Sequence, residues 1–213
     1  MKEPSRGRSS DDSRATAHTK IQREAWAFMV KDRLVAVPPL APDNPGLMRG
    51  ERPSLPAGNP MPSDLTVRPV ARSDYEKWLP LWDGYNAFYG RAGSTALDPE
   101  VTKTTWQRFF DAYEPVHGLV AESGGELLGI VHYLFHRSTT AIPPSCYLQD
   151  LFTASAARGK GVGRALIDGV YERARLAGSP RVYWLTHETN HTAMQLYDKV
   201  AERSGFVVYR KML

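Results

Sequence analysis

The sequence predicts one domain of α/β (α+β) class, its elements in the order β-α-α-β-β-β-α-β-α-β, preceded by a segment without regular structure. Three observations carry this reading. Composition changes sharply near residue 62. Beyond that point, apolar runs of period two are interspersed with aromatic-rich stretches of period three to four, the periods of strand and helix. A glycine-rich stretch, 158–164, stands between one such strand and the helix that follows.

Of the 213 residues, 42% are hydrophobic and 23% charged. These are ordinary globular values, and they exclude a wholly disordered chain, a collagen and a coiled coil. No apolar run approaches the ~18 residues of a membrane-spanning helix. Cys146 is the single cysteine, so neither an intramolecular disulfide nor a cysteine zinc cage can form, and a cytoplasmic setting is expected. Residues 1–62 hold 10 Lys and Arg against 7 Asp and Glu, whereas residues 63–213 hold 17 against 16. The domain is therefore near neutral, and no extended basic face for nucleic acid is indicated.

The leader, 1–62, contains 9 of the 16 prolines. Proline this dense removes backbone donors and blocks regular elements. Disorder is expected there, apart from a short helix within 21–37. Glu3, Asp11, Asp12 and Glu24 argue against an import presequence. An alternative is that the leader is an extension ahead of a start at Met61. The folded domain is then 63–213.

Within that domain, Leu65 to Val70 alternates and predicts the first strand. Ser73-Asp74-Tyr75-Glu76 reads as a capping box opening a helix that carries Trp78, Leu81, Trp82, Tyr85 and Phe88 and stops near Gly90. Asp98-Pro99-Glu100 opens a second helix, with proline at a tolerated first-turn position. Gly118–Glu122 and Glu126–Phe135 form a hairpin about Gly124-Gly125. Cys146–Thr153 is the next strand, and a helix from about Gly161 to Ala177 follows the glycine stretch. Val182–Thr186 is a strand, Thr192–Ser204 a helix closed by Gly205, and Phe206–Tyr209 a last strand.

The chemistry starts from Arg158-Gly159-Lys160-Gly161-Val162-Gly163-Arg164. Alternating glycines let a backbone turn tightly and bring its amides close to a ligand. The free amides and positive dipole end of the following helix suit a phosphate, and Arg158, Lys160 and Arg164 add charge around it. A P-loop string is absent, and the dinucleotide fingerprint fails because Arg164 or Leu166 stands where its third glycine belongs. What remains is R-x-x-G-x-G, a pyrophosphate cradle or else a glycine turn with basic decoration.

With this loop and the text that follows it, the sequence resembles the GNAT superfamily of N-acetyltransferases over about Leu65 to Met212. The likeness rests on the R-x-x-G-x-G loop after a strand, on Trp184-Leu185-Thr186, on Asn190, Ala193 and Tyr197, and on Gly205-Phe206. Tyr147 to Phe152 looks like the corresponding strand of polyamine and thialysine acetyltransferases, and Tyr85 to Gly90 is similar to small microbial members of the yeast Hpa type.

The resemblance implies a GNAT fold with a mixed, mostly antiparallel central sheet, acetyl-CoA as cosubstrate, direct transfer to an amine and, at family level, a homodimer. Carried over by position, it implies that the backbone of Arg158, Gly159, Lys160, Gly161, Val162, Gly163 and Arg164 holds the pyrophosphate. Phe152 and Thr153 would pair with the pantetheine arm as an added strand, and Asn190 would contact it from the far side. An amide near Leu151 to Thr153 would polarise the thioester carbonyl. Tyr197 is the candidate general acid for the departing thiolate.

The base is the open position. Polyamine-type relatives have Glu where this chain has Gln149, which cannot take a proton. Asp150 is adjacent, and strand alternation is expected to turn it to the opposite face. His132 or Glu122 could act through water. Trp82, Tyr85 and Tyr89 are candidates to meet a cationic amine with their ring faces, with plain packing as the alternative. Cys146 has no neighbouring activator in sequence, and the pairs His132/His136 and His187/His191 lack the helical zinc arrangement, so no metal is expected. The function expected is acetyl transfer to a small primary amine such as a polyamine, an amino acid or a related metabolite. The rivals are a protein lysine acetyltransferase and a non-catalytic acyl-CoA-binding module.

Overall fold

A computed structural model describes residues 62–213. The leader, its short helix and the alternative start at Met61 lie outside the described residues. Five strands form one sheet in the order β1-β2-β3-β4-β5, with β1 Thr66–Pro69, β2 Val116–Ser123, β3 Glu126–His136, β4 Ser145–Thr153 and β5 Val182–Tyr183. The first four are antiparallel neighbours and β5 runs parallel to β4. The mixed, mostly antiparallel sheet expected from the resemblance is present.

Alternation along the strands splits the core into two layers. On one face, Leu119, Ala121, Val131, Tyr133, Cys146 and Leu148 meet α3 (Val162–Leu176). That helix offers Val162, Leu166, Ile167, Val170 and Ala174, a stripe at helical spacing, all buried. On the other face, Val120 and Ile130 meet Trp78, Leu81, Trp82 and Tyr85 of α1 (Tyr75–Phe88). Trp106 of α2 (Pro99–Arg108) and Phe109 just after it close that layer. Truncating a fully buried residue such as Ile130 to Ala costs about 2–5 kcal/mol in such packing.

Helix starts follow two patterns. Asp98 caps α2 as expected, its side chain accepting from the Glu100 amide. The capping box at Ser73 does not form. A 3-10 turn, Arg72–Asp74, precedes α1, and the Asp74 carboxylate accepts instead from the Ala71 amide and from Arg68. A buried carboxylate facing a guanidinium outweighs a solvent-exposed hydroxyl cap. Pro80 lies inside α1 but on its exposed side, where the carbonyl it deprives of a partner can turn to water.

The C-terminal part departs from expectation. β5 is two residues long and does not reach Thr186. The last helix, α4, is His191–Val200 rather than running to Ser204. Ala201 is extended (φ −153°, ψ 178°), and residues 201–213 form no strand and lie exposed. Phe206 and Tyr209 are 92% and 93% exposed. Strand preference is fitness for a half-buried pleated surface, and this segment meets no such surface among the described residues.

Candidate active site

The site begins where β4 and β5 part. They pair only at Cys146 with Val182 and Tyr147 with Tyr183, so beyond Tyr147 the outer edge of β4 has no strand partner among the described residues. Ala154 donates its amide to Leu128 O on the β3 side. In a regular antiparallel ladder alternate residues then turn outward, which directs the backbone of Leu151 and Thr153 to the open edge. The Arg158 Nε donates to Thr153 O at 3.4 Å, in keeping with this. Phe152, expected to share that role, belongs to the inward set. Its ring packs so closely on α1 that a Cβ on Gly84 would stand 2.7 Å from it.

The glycine loop adjoins this edge. Gly159 and Gly161 have φ of +73° and +79°, left-handed values that other residues adopt only at a cost. Gly161 is the N-cap of α3 and supplies no side-chain cap. The amides of Val162, Gly163 and Arg164 are therefore left to an outside acceptor, at the positive end of a 15-residue helix. Arg158, Lys160 and Arg164 are beside them, Arg158 with its guanidinium 5.8 Å from the Phe152 ring centroid. An extended, amide-bearing arm ending in a diphosphate fits this donor set.

A bulge in β4 sets the other wall. His132 is in register with Asp150, but Tyr133 is in register with Leu148, so Gln149 is the extra residue and projects into solvent. The bulge breaks the alternation that was expected to turn Asp150 away. Leu148 and Leu151 both pack on the α3 layer, and Asp150 points to the α1 side. Its Oδ2 is 3.0 Å from His132 Nδ1, and its charge acts on the nearby Tyr85 hydroxyl.

Indole can only donate, and Trp78 Nε1 is 3.1 Å from His132 Nε2. The His132 ring proton is thereby assigned to Nδ1, which donates to Asp150. With both nitrogens engaged and the side chain 3% exposed, His132 positions the carboxylate rather than serving the cleft itself. Glu122 is committed to Arg68 at 2.6 Å.

Tyrosines surround Asp150. Burial, then the carboxylate beside it, pushes the Tyr85 hydroxyl far above its ordinary value, and the same two causes raise Tyr89 and Tyr147. Tyr85 and Tyr89 pack edge to face at 5.1 Å. Trp82 is stacked on Tyr85 at 5.5 Å, but it is buried and its Nε1 donates to Thr102 Oγ1. It stiffens the platform from behind and does not line the cleft.

Tyr197 sits on α4, its ring edge-on to Trp184 at 5.3 Å. Burial, and then Tyr89, push its hydroxyl up to about 12, so the phenol keeps its proton at neutral pH. Asn190 precedes α4 and donates from Nδ2 to Thr186 Oγ1 at 3.3 Å. Cys146 is buried against α3 with its thiol pushed up to about 11, away from this wall. Among the described residues, no group of three or more His, Cys, Asp or Glu is placed to hold a metal ion, and no helix is long and apolar enough to cross a membrane.

A sheet parted beside a glycine-capped helix is the architecture of an acyl-CoA-dependent acyltransferase. Residues 78–201 match the Acetyltransferase (GNAT) family. The chain is 38% identical over 149 residues to the D-amino-acid N-acetyltransferase HPA3 of Saccharomyces cerevisiae, covering 69% of this chain and 90% of that protein. It is 28% identical over 147 residues to the uncharacterized N-acetyltransferase YhfO of Bacillus subtilis, covering 68% and 95%. Among solved structures, the fold matches AAC(6')-Iy bound to a CoA bisubstrate analogue with a TM-score of 0.60 at 17% identity, covering 71% of this chain and 100% of that one. The chain belongs to the GNAT acetyltransferase family, and its activity is N-acetyl transfer.

Proposed function

We propose that the protein transfers the acetyl group of acetyl-CoA directly to the primary amine of a small metabolite, with an amino acid as the first candidate. The carrying observation is the open edge of β4 beyond Tyr147, running into the uncapped start of α3. The Leu151 and Thr153 backbone pairs with the pantetheine arm. The amides at Val162–Arg164, with Arg158 and Lys160, hold the pyrophosphate. Asn190 closes the far side.

In this reading Asp150, directly or through the Tyr85 hydroxyl, takes the proton that the acceptor ammonium must lose. The freed amine attacks the thioester carbonyl carbon. The Leu151 amide steadies charge on the carbonyl oxygen. As the carbon–sulfur bond breaks, Tyr197 gives its proton to the leaving sulfur. Gln149, at the bulge, takes no part. Amino acids lead because the HPA3 relative is named for them. We further read the protein as a cytoplasmic homodimer. The free, buried Cys146 supports the first, and the exposed run Phe206–Tyr209, an unpaired strand-forming segment, supports the second.

Thiol release from acetyl-CoA tests the reaction across free D- and L-amino acids, polyamines and lysine peptides. Release with small amines and acetylated product by mass is the expected result. CoA binding without release over the whole panel points to a binding module, and release with peptides alone points to a protein acetyltransferase.

A further inference from the structure

Arg91 stands just past α1 in a fixed pose. Its backbone amide donates to Asn86 O at 2.9 Å, and its Nε donates to Asn86 Oδ1 at 2.8 Å. Asn86 is itself 4% exposed, with Nδ2 donating to Trp82 O at 2.9 Å, so the anchor is locked into the helix. The guanidinium carbon lies 5.7 Å from the Tyr85 ring centroid and 5.4 Å from that of Tyr89. These are the rings that flank Asp150. Arg91 forms no ion pair among the described residues. Its two terminal nitrogens have no hydrogen-bond partner among the described residues and lie in the fork geometry that receives a carboxylate through two parallel bonds.

One tyrosine platform thus carries a carboxylate and a guanidinium. Asp150 and Arg91 act on the same Tyr85 phenol with opposite electrostatic signs. The half-buried Arg91 guanidinium, held by Asn86 and lying against two aromatic rings, presents a fixed positive charge that favours an anionic partner. A polyamine brings no anion and adds repulsion. A zwitterion supplies both charges in the needed polarity, its anion for Arg91 and its ammonium for Asp150.

We infer that Arg91 is the specificity-determining residue of the acceptor site and receives the carboxylate of an amino-acid substrate. This rests on the acetyl-transfer reading above. The test compares free D- and L-amino acids with their matched carboxamides and decarboxylated amines, using the native protein, Arg91→Gln and Arg91→Lys.

Native enzyme should favour the free acid over its amide by about 10²-fold or more in kcat/KM, as sites built around a polar partner do. Arg91→Gln should erase that preference by lowering the acid and sparing the amide, with CoA affinity unchanged, and Arg91→Lys should restore only part of it. Equal losses for acid and amide would mark Arg91 as a purely structural support and overturn the inference. So would native enzyme that turns over amides, simple amines or polyamines as well as acids. Both of those outcomes leave acetyl transfer standing. Absence of thiol release with every acceptor sinks the transfer reading and this inference together.

Discussion

His132 and Asp150 meet across the β4 bulge, ring Nδ1 to carboxylate Oδ2 at 3.0 Å. Behind His132 is the buried Trp78 indole, so a continuous hydrogen-bonded line runs from the α1 core to the Asp150 carboxylate. Asp150 is thereby held in one orientation by two buried side chains. The bulge and the line act together: the extra residue rotates Asp150 inward, and His132 fixes it there.

If Asp150 accepts the acceptor's proton, Asp150→Asn should lower kcat/KM by about 10²–10³-fold near neutral pH, the usual span for acid–base groups. CoA affinity should be unchanged. The deficit should shrink as pH rises toward the acceptor's own pKa, because an amine already free needs no base. Thiol release measured across that range checks it. A deficit that is constant with pH would assign Asp150 an orienting role only.

Tyr197→Phe should reduce kcat by about 10²–10⁴-fold with little change in CoA affinity. The pH dependence follows from the hydroxyl's raised value of about 12. Burial disfavours the phenolate, so the proton-bearing form persists below that value and is lost only above it. The kcat of the native enzyme should show no alkaline decline from this group up to pH 10. A decline centred near 10 that disappears in Tyr197→Phe would show a phenol exposed to solvent instead of one held in the cleft.

Local signals made most of the fold legible. The tryptophans of α1 at helical spacing, the Asp98 cap and the Gly124-Gly125 turn each specify an element within a few residues. The glycine stretch was legible for the same reason, since positive φ at Gly159 and Gly161 is a local demand. What was not legible depends on register between distant segments. The bulge at Gln149 exists only in the pairing of β4 with β3, and without it alternation sends Asp150 to the wrong face. Likewise Trp82 and Tyr85 lie three residues apart on one helix and read alike, yet one is sealed by Thr102 and the other reaches Asp150. The segment 206–209 has the composition of a strand, but composition does not supply a neighbouring edge.

Gly161→Ala tests the cradle. A side chain at φ +79° costs about 1–2 kcal/mol, and relief of that strain moves the N-cap and the three amides beyond it. The expected outcome is roughly tenfold weaker CoA binding by calorimetry, a factor worth about 1.4 kcal/mol, with a modest fall in Tm. Unaltered CoA affinity at a lowered Tm would separate the loop from the ligand.

The remaining prediction concerns stability. Arg68 joins β1 to the start of α1 and to β2, through Asp74 at 2.7 Å and Glu122 at 2.6 Å. The Arg68 guanidinium holds the Asp74 carboxyl below its ordinary 3.8 despite burial, and the Ala71 amide adds to this. A carboxylate depressed in the folded state contributes stability that is complete above about 4 and fades as pH falls through the folded value. Asp74→Asn should therefore destabilise the protein by about 1.5–3 kcal/mol at pH 7, the range for hydrogen bonds to charged groups. The difference from native should narrow below pH 4. Urea denaturation at pH 7 and at pH 3 measures both, and an undiminished gap at the lower pH would assign the loss to packing rather than to charge.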